Sequence, residues 1–360
     1  MLSWALALGV GTLALAFRPR RCETRRPVPR KALHVPRSLP ATAANLHLHH
    51  GLARIATSTV GAAHGPISML QAVILGLLQG VSELFPISSL GHTVLFPTLF
   101  GWHSVVKAQS NPESFWLAFV VMLHVGSALG LLIYFWRDWV RIISAWFATL
   151  AKRRIETPTE RLAWLIVVGT IPAGVIGLAL EHPLRVALAK PEAAACFLVL
   201  NGFVLLAAER LRRRSEVGTL AARQGAKDDG SRKLDTLDYK EAGLIGVAQS
   251  TALIAGISRE GVCMTAGLLR GLDHEDSARF AFLLATPVIF AAGVFKVSDL
   301  TGPLGNGVRG QALVAAACAA VTALLSVRFL MSYFRTRTLT PFGVYCLLFG
   351  TAMAIYVAVN

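Results

Sequence analysis

Apolar runs of near membrane-crossing length recur along this chain, at 115–136, 162–180, 193–208, 278–297, 311–329 and 339–359. A helix needs about 20 mostly apolar residues to cross a hydrocarbon core of about 30 Å, so several such runs dictate a polytopic bundle and not a single anchor. Composition agrees, with 54% of the 360 residues hydrophobic and 15% charged, against about 25% charged in an ordinary soluble domain.

Two further apolar stretches carry charge in their middle. The stretch 67–100 has Glu83 as its only acidic or basic residue, and 242–269 is interrupted by Arg259 and Glu260. Most Lys and Arg of the body lie in the segments 137–161, 209–240 and 328–337, which the positive-inside rule makes cytoplasmic. Counting crossings from those segments, 242–269 must enter from inside and return inside, and 69–100 must enter from outside and return outside. Such re-entrant hairpins are tolerated only where protein or a polar cavity surrounds them. At an offset of 170, Gly76 falls on Gly246, Gln79 on Gln249, Ile87 on Ile257, Ser88 on Ser258 and Gly91 on Gly261. The expected fold is therefore an all-α polytopic membrane protein with an inverted-topology repeat, each half a re-entrant helical hairpin plus three transmembrane helices. The expected divisions are an N-terminal segment 1–68, a first repeat 69–208, a cytoplasmic linker 209–240 and a second repeat 241–360.

The formal charge of +15 does not call for nucleic acid. Residues 1–68 hold nine Lys or Arg against the single Glu23, and the remaining excess is ordinary for basic cytoplasmic loops. Residues 1–17 resemble a signal-peptide core but lack the basic residues that should precede it. Three readings stay open for this region: an atypical targeting segment, a disordered extension, or a start placed too far upstream. His47, His49, His50 and His64 fit a disordered setting better than a metal tract. Cys22, Cys196, Cys263, Cys318 and Cys346 form no CxxC pair, so neither a disulfide framework nor a zinc site is indicated.

The sequence QGVSELFPISSLGH, 79–92, concentrates the chemistry. Gln79 and Glu83 share a helix face, Pro86 breaks the helix, and Ser88, Ser89 and His92 follow. Glu83 as a structural ion-pair partner is the plainer reading, but a membrane carboxylate costs several kcal/mol and is usually kept for function. Gln79 could be interhelical glue, the serines helix caps and His92 a packing residue. Their convergence favours a site, since a hydroxyl beside a base is a combination that chemistry uses. In GISREG, 256–261, Arg259 between glycines can serve either as a neutraliser of Glu83 or Glu260 or as an anion cradle suited to phosphate. Glu83 with Gln79 offers oxygen ligands to Mg²⁺ or Ca²⁺. A phosphoryl substrate inside a membrane bundle is most simply a lipid.

These residues resemble the undecaprenyl-diphosphate phosphatase family, also called bacitracin-resistance proteins. Its first motif matches Gln79, Glu83, Pro86, Ser88, Ser89, Gly91 and His92. Its second matches Gly256, Ser258, Arg259 and Gly261, and a later F-L-L-A-x-P stretch is present at 282–287. The resemblance implies a divalent-metal-dependent phosphatase of polyprenyl diphosphate, acting in carrier-lipid recycling for the cell wall at the outer face of a bacterial inner (plasma) membrane. It makes Glu83, His92, Ser88, Ser89 and Arg259 catalytic, with Arg259, Ser258, Gly256, Gly261 and Gln249 binding substrate and Glu83 and Gln79 binding metal. The implied partners are the lipid and the membrane, with a homodimer left open. The rival reading is a polyprenyl-phosphate flippase or transporter, because inverted repeats with broken helices are also a transporter design. Three positions depart from the motif: Ala255 for proline, Glu260 for serine and Cys263 for threonine. Glu260 either adds a metal ligand or weakens diphosphate binding by repulsion.

Overall fold

Proline 86 divides the first charged stretch into two helices. It lacks an N–H and pushes the preceding residue to extended backbone, so α1 (Met69–Leu84) stops at Phe85, φ −68° and ψ 138°. Helix α2 (Ser89–Leu99) then leaves the turn. In the computed structural model, residues 66–109, 111, 114–188, 190–222, 232–302 and 305–359 are described. All regular elements among them are helical, apart from an isolated bridge between Arg232 and Leu272. Cys22 and the histidines 47, 49, 50 and 64 lie outside the described residues, as do the readings made of 1–65.

After α2 come α3 (His103–Gln109), α4 (Trp116–Tyr134), α5 (Trp136–Lys152), α6 (Pro158–Leu188) and α7 (Pro191–Ala222). The second charged stretch forms α8 (Tyr239–Gln249), a short 3-10 turn (Ser250–Leu253) and α9 (Arg259–Leu269). Helices α10 (His274–Thr301), α11 (Arg309–Tyr333) and α12 (Thr340–Val359) complete the chain. Six of these helices are long and apolar enough to cross a membrane, and they coincide with the six runs read from sequence. The arms around the charged breaks are shorter. The 11 residues of α2, α8 and α9 each span about 16 Å, and the 16 of α1 about 24 Å, all below the thickness of a hydrocarbon core.

Close helix contacts are made at small residues, as expected where lipid supplies no hydrophobic drive for helices to associate. A Cβ on Gly76 would lie 2.4 Å from the Ala315 carbonyl oxygen, which brings α1 against α11. A Cβ on Gly246 would lie 2.2 Å from the Gly169 carbonyl oxygen, which brings α8 against α6 in the same way. Outward faces stay apolar, with Leu70, Leu178 and Leu348 at least two-thirds exposed.

One end of the bundle is tied by polar contacts. Glu209 on α7 pairs with His274 on α10 at 2.6 Å and accepts from the Leu339 N–H at 2.8 Å. Arg279 pairs with Asp138 at 3.0 Å and Arg161 donates to the Leu237 carbonyl at 2.8 Å. This end gathers the segments rich in Lys and Arg. Two of them are more structured than their charge implied. Helix α7 continues to Ala222, well into the stretch read as a linker, and 137–161 contains α5. Along α5, Trp136, Val140, Ile143, Phe147 and Leu150 form an exposed apolar stripe at helical spacing, the pattern of a helix lying in a membrane interface.

Candidate active site

The two breaks between short helices touch each other. Ser88 caps α2, its Oγ accepting from the Gly91 N–H at 3.2 Å, and Ser258 caps α9 in the same way, accepting from the Gly261 N–H at 3.1 Å. Ser88 Oγ also accepts from the Gly256 N–H at 3.1 Å, which joins one turn to the other. Gly256 has φ +103°, and a Cβ there would meet the Ala194 carbonyl oxygen at 2.4 Å, so only glycine fits. Ser88 adopts φ +71° without that freedom, a conformation that costs a non-glycine residue about 1–3 kcal/mol and persists only where neighbours over-determine it.

Those neighbours include Asn201, which sequence reading passed over as part of an apolar span. Its Nδ2 donates to the Pro86 carbonyl and its Oδ1 accepts from the Ser258 N–H, both at 3.0 Å. One buried amide on α7 thus bonds to both turns. The available signal was a lone amide within the run 193–208, which composition alone does not distinguish from interhelical glue.

Glu83 lies at this junction, 3% exposed. Its Oε2 accepts from Gln79 Nε2 at 3.0 Å and from the Ser89 hydroxyl. His124 Nε2 on α4 stands 3.3 Å from the same oxygen, and Arg259 Nη1 stands 3.6 Å from Oε1. The structure therefore brings Gln79, Glu83, Ser89 and Arg259 together as the sequence reading expected, and adds His124, which it missed. His124 lies in an apolar run 41 residues beyond Glu83, and only helix packing makes them neighbours.

His92 sits differently. Its Nδ1–H donates to the Ser88 carbonyl at 2.7 Å, leaving Nε2 to accept from the Tyr345 hydroxyl at 2.8 Å. The ring stacks on Tyr345 and Phe349. It holds the strained Ser88 through its backbone, and its bonded partners are Ser88 and Tyr345 rather than Glu83. Gln249 donates to the Gly169 carbonyl at 3.0 Å, a contact between α8 and α6.

Several buried polar atoms have no hydrogen-bond partner: Gln79 Oε1, Arg259 Nη1 and Glu260 Oε1 around the junction, and Gln249 Oε1 on α8. Native interiors leave few such atoms, so each asks for a ligand or an explanation. The N-termini of α2 and α9 converge here as well, adding the positive ends of two helix dipoles to the guanidinium. Hydroxyl, carboxylate, guanidinium and helix N-termini together suit a phosphoryl group.

The bacitracin resistance protein BacA family matches residues 72–352, a span that takes in both turns, five of the six long apolar helices and most of the sixth. The chain belongs to the BacA family. It is 51% identical over 339 residues to undecaprenyl-diphosphatase 2 of Frankia alni, covering 81% of this chain and 99% of that protein. It is 52% identical over 302 residues to the undecaprenyl-diphosphatase of Mycolicibacterium paratuberculosis, covering 82% and 99%. It is 42% identical over 296 residues to undecaprenyl-diphosphatase 2 of Chromobacterium violaceum, covering 81% and 99%. In this BacA chain the three motif departures, Ala255, Glu260 and Cys263, are all buried at the second turn.

Proposed function

We infer that this chain is a multi-pass membrane phosphatase that hydrolyses undecaprenyl diphosphate to the monophosphate, recycling the carrier lipid for cell-wall synthesis and conferring bacitracin resistance. The observation that carries the reading is the junction itself, where Ser89 and Glu83 from one turn meet Arg259 from the other within a chain of the BacA family. Transport without cleavage is not favoured, because a site for headgroup passage alone needs no hydroxyl held on a carboxylate.

The roles follow from the contacts. Arg259 binds and neutralises the diphosphate. The N–H groups of Gly256, Ser258 and Gly261 are committed to Ser88, Asn201 and Ser258, so these residues shape the turn that carries Arg259. Ser89 Oγ donates its hydrogen bond to Glu83, so the carboxylate takes the proton when that oxygen, or a water beside it, attacks the terminal phosphorus. The bridging P–O bond breaks and the prenyl monophosphate leaves, and after attack by Ser89 a water then releases the phosphate. His92 acts through Ser88, whose carbonyl it anchors. Among the described residues no group of three or more His, Cys, Asp or Glu side chains could hold a metal ion. The oxygen set of Glu83 and Gln79 nonetheless fits a hard divalent cation, Mg²⁺ or Ca²⁺, because such cations commonly take one or two carboxylates and complete their shell with water and substrate phosphate. Gln79 Oε1, buried and unpartnered, supports that fit. Such a cation would supply charge neutralisation to the diphosphate.

The same reading extends to topology. Helices α1, α2, α8 and α9 begin at positions that keep the 170-residue offset, and α1 meets α11 as α8 meets α6. This supports an inverted repeat with a re-entrant hairpin in each half, lodged in a bacterial inner membrane with the basic ends inside.

The test is phosphate release from a short-chain prenyl diphosphate by purified protein. Release that is lost with chelator and with Glu83→Ala supports the assignment. Headgroup movement across liposomes without phosphate release would replace hydrolysis with transport.

A further inference from the structure

Glu260 is the second residue of α9 and is 2% exposed, yet its Oε1 has no hydrogen-bond partner. It directly follows Arg259, whose guanidinium faces Glu83. Gln79 is fully buried, with its Nε2 committed to Glu83 at 3.0 Å, and its Oε1 is unpartnered beside that carboxylate. Two carboxylates thus lie at one water-poor junction with one guanidinium and, on the Glu83 side, the His124 imidazole. That guanidinium stands 3.6 Å from Glu83 and leaves its own Nη1 without a hydrogen bond. A buried carboxylate without a cation is unfavourable, and removing water from both raises the cost. The atoms left over are oxygens, which suit hard cations and not the softer metals that thiolates select.

We propose that Glu260 of the second turn is a ligand of the divalent cation together with Glu83 of the first, with the Gln79 carbonyl oxygen beside them. This rests on the reading of the site as cation-dependent, and it adds what the sequence left as two alternatives for Glu260. The motif this chain resembles has serine at position 260, and position 79 here is Gln. With Gln at 79, the second carboxylate here comes from the opposite turn. The cation would then fasten the two turns to each other, in addition to Asn201 and the Gly256–Ser88 bond.

The test uses Mn²⁺ titrated into the purified full-length protein and read by the electron paramagnetic resonance of free Mn²⁺. Glu260→Gln, which is isosteric and uncharged, and Glu260→Ser should each weaken Mn²⁺ binding about tenfold or more. Thermal unfolding supplies a readout independent of activity. In chelator the Glu260→Gln protein should melt no lower than wild type, because an unpaired charge has been removed, and Mn²⁺ should raise the wild-type Tm more than the variant's. If wild type binds Mn²⁺ and both variants bind it equally well, Glu260 is not a ligand and carries a proton or turns to Arg259 instead. If wild type binds no Mn²⁺, the cation-dependent reading of the site falls with this proposal.

Discussion

His124 Nε2 stands 3.3 Å from Glu83 Oε2, while its Nδ1 stands 2.8 Å from the Val120 carbonyl oxygen. A carbonyl only accepts, so the Nδ1–H donates to it and the ring is held with Nε2 toward the carboxylate. His124 thus meets Glu83 from a separate helix. His124→Ala should lower kcat/KM about 10–100-fold, and His124→Gln, which keeps a donor, should recover part of it. Phosphate-release kinetics check this. A wild-type rate in His124→Ala would reduce the residue to packing.

The two serines should separate cleanly. Ser89 bonds to Glu83, so Ser89→Ala should abolish most phosphate release while leaving the melting temperature near that of wild type. Ser88 accepts from two backbone N–H groups, so Ser88→Ala should cost about 1–3 kcal/mol of stability through the unpaired donors. Thermal unfolding beside activity distinguishes the two.

Arg259→Ala should reduce kcat/KM by about 10²–10³-fold, the scale for removing a charged stabiliser of the transition state. Arg259→Lys should not restore it, because an ammonium lacks the planar fork that grips phosphate oxygens. Normal hydrolysis by Arg259→Ala would sink the assignment of this residue.

Asn201→Ala leaves the Ser258 N–H unpaired inside the protein and the Pro86 carbonyl with only the long contact from the Cys346 thiol at 3.9 Å. The expected loss is about 2–4 kcal/mol, seen as a lower Tm, together with a fall in activity as the turns separate. Asn201→Asp keeps the acceptor but turns a buried carboxylate oxygen onto the Pro86 carbonyl, and should lose at least as much.

Outside the long spans, Arg232 donates to Glu241 at 2.9 Å and holds its carboxyl below the usual range. A depressed folded-state value means that the stabilisation is present above the ordinary carboxylate range and is lost as pH falls through the folded value. Arg232→Gln should therefore lower Tm at neutral pH, and the gap from wild type should close in acid. Added salt should narrow it too, since the pair is partly solvated.

The fold was legible to the extent that local pattern fixes it. Run length alone gave the six long helices, because a backbone in lipid must satisfy its own hydrogen bonds, and Pro86 marked the first turn because its ring cannot continue a helix. Spacing gave Gln79, Glu83 and Ser89 as a group, since they are helix and turn neighbours. Helix α5 was masked by its charge, because basic residues marked the sidedness of 137–161 without revealing its apolar stripe. His124, Asn201 and Tyr345 were out of reach for another reason. Each lies on a different long helix as an isolated polar residue, and its meaning comes from which neighbour the helix presents it to. That choice is made at contacts such as Gly76 on Ala315 and Gly246 on Gly169, where missing side chains let backbones approach. The sequence determined the kinds of chemical groups available and the lengths that carry them, and only tertiary packing decided that His124 faces Glu83 while His92 turns to Tyr345.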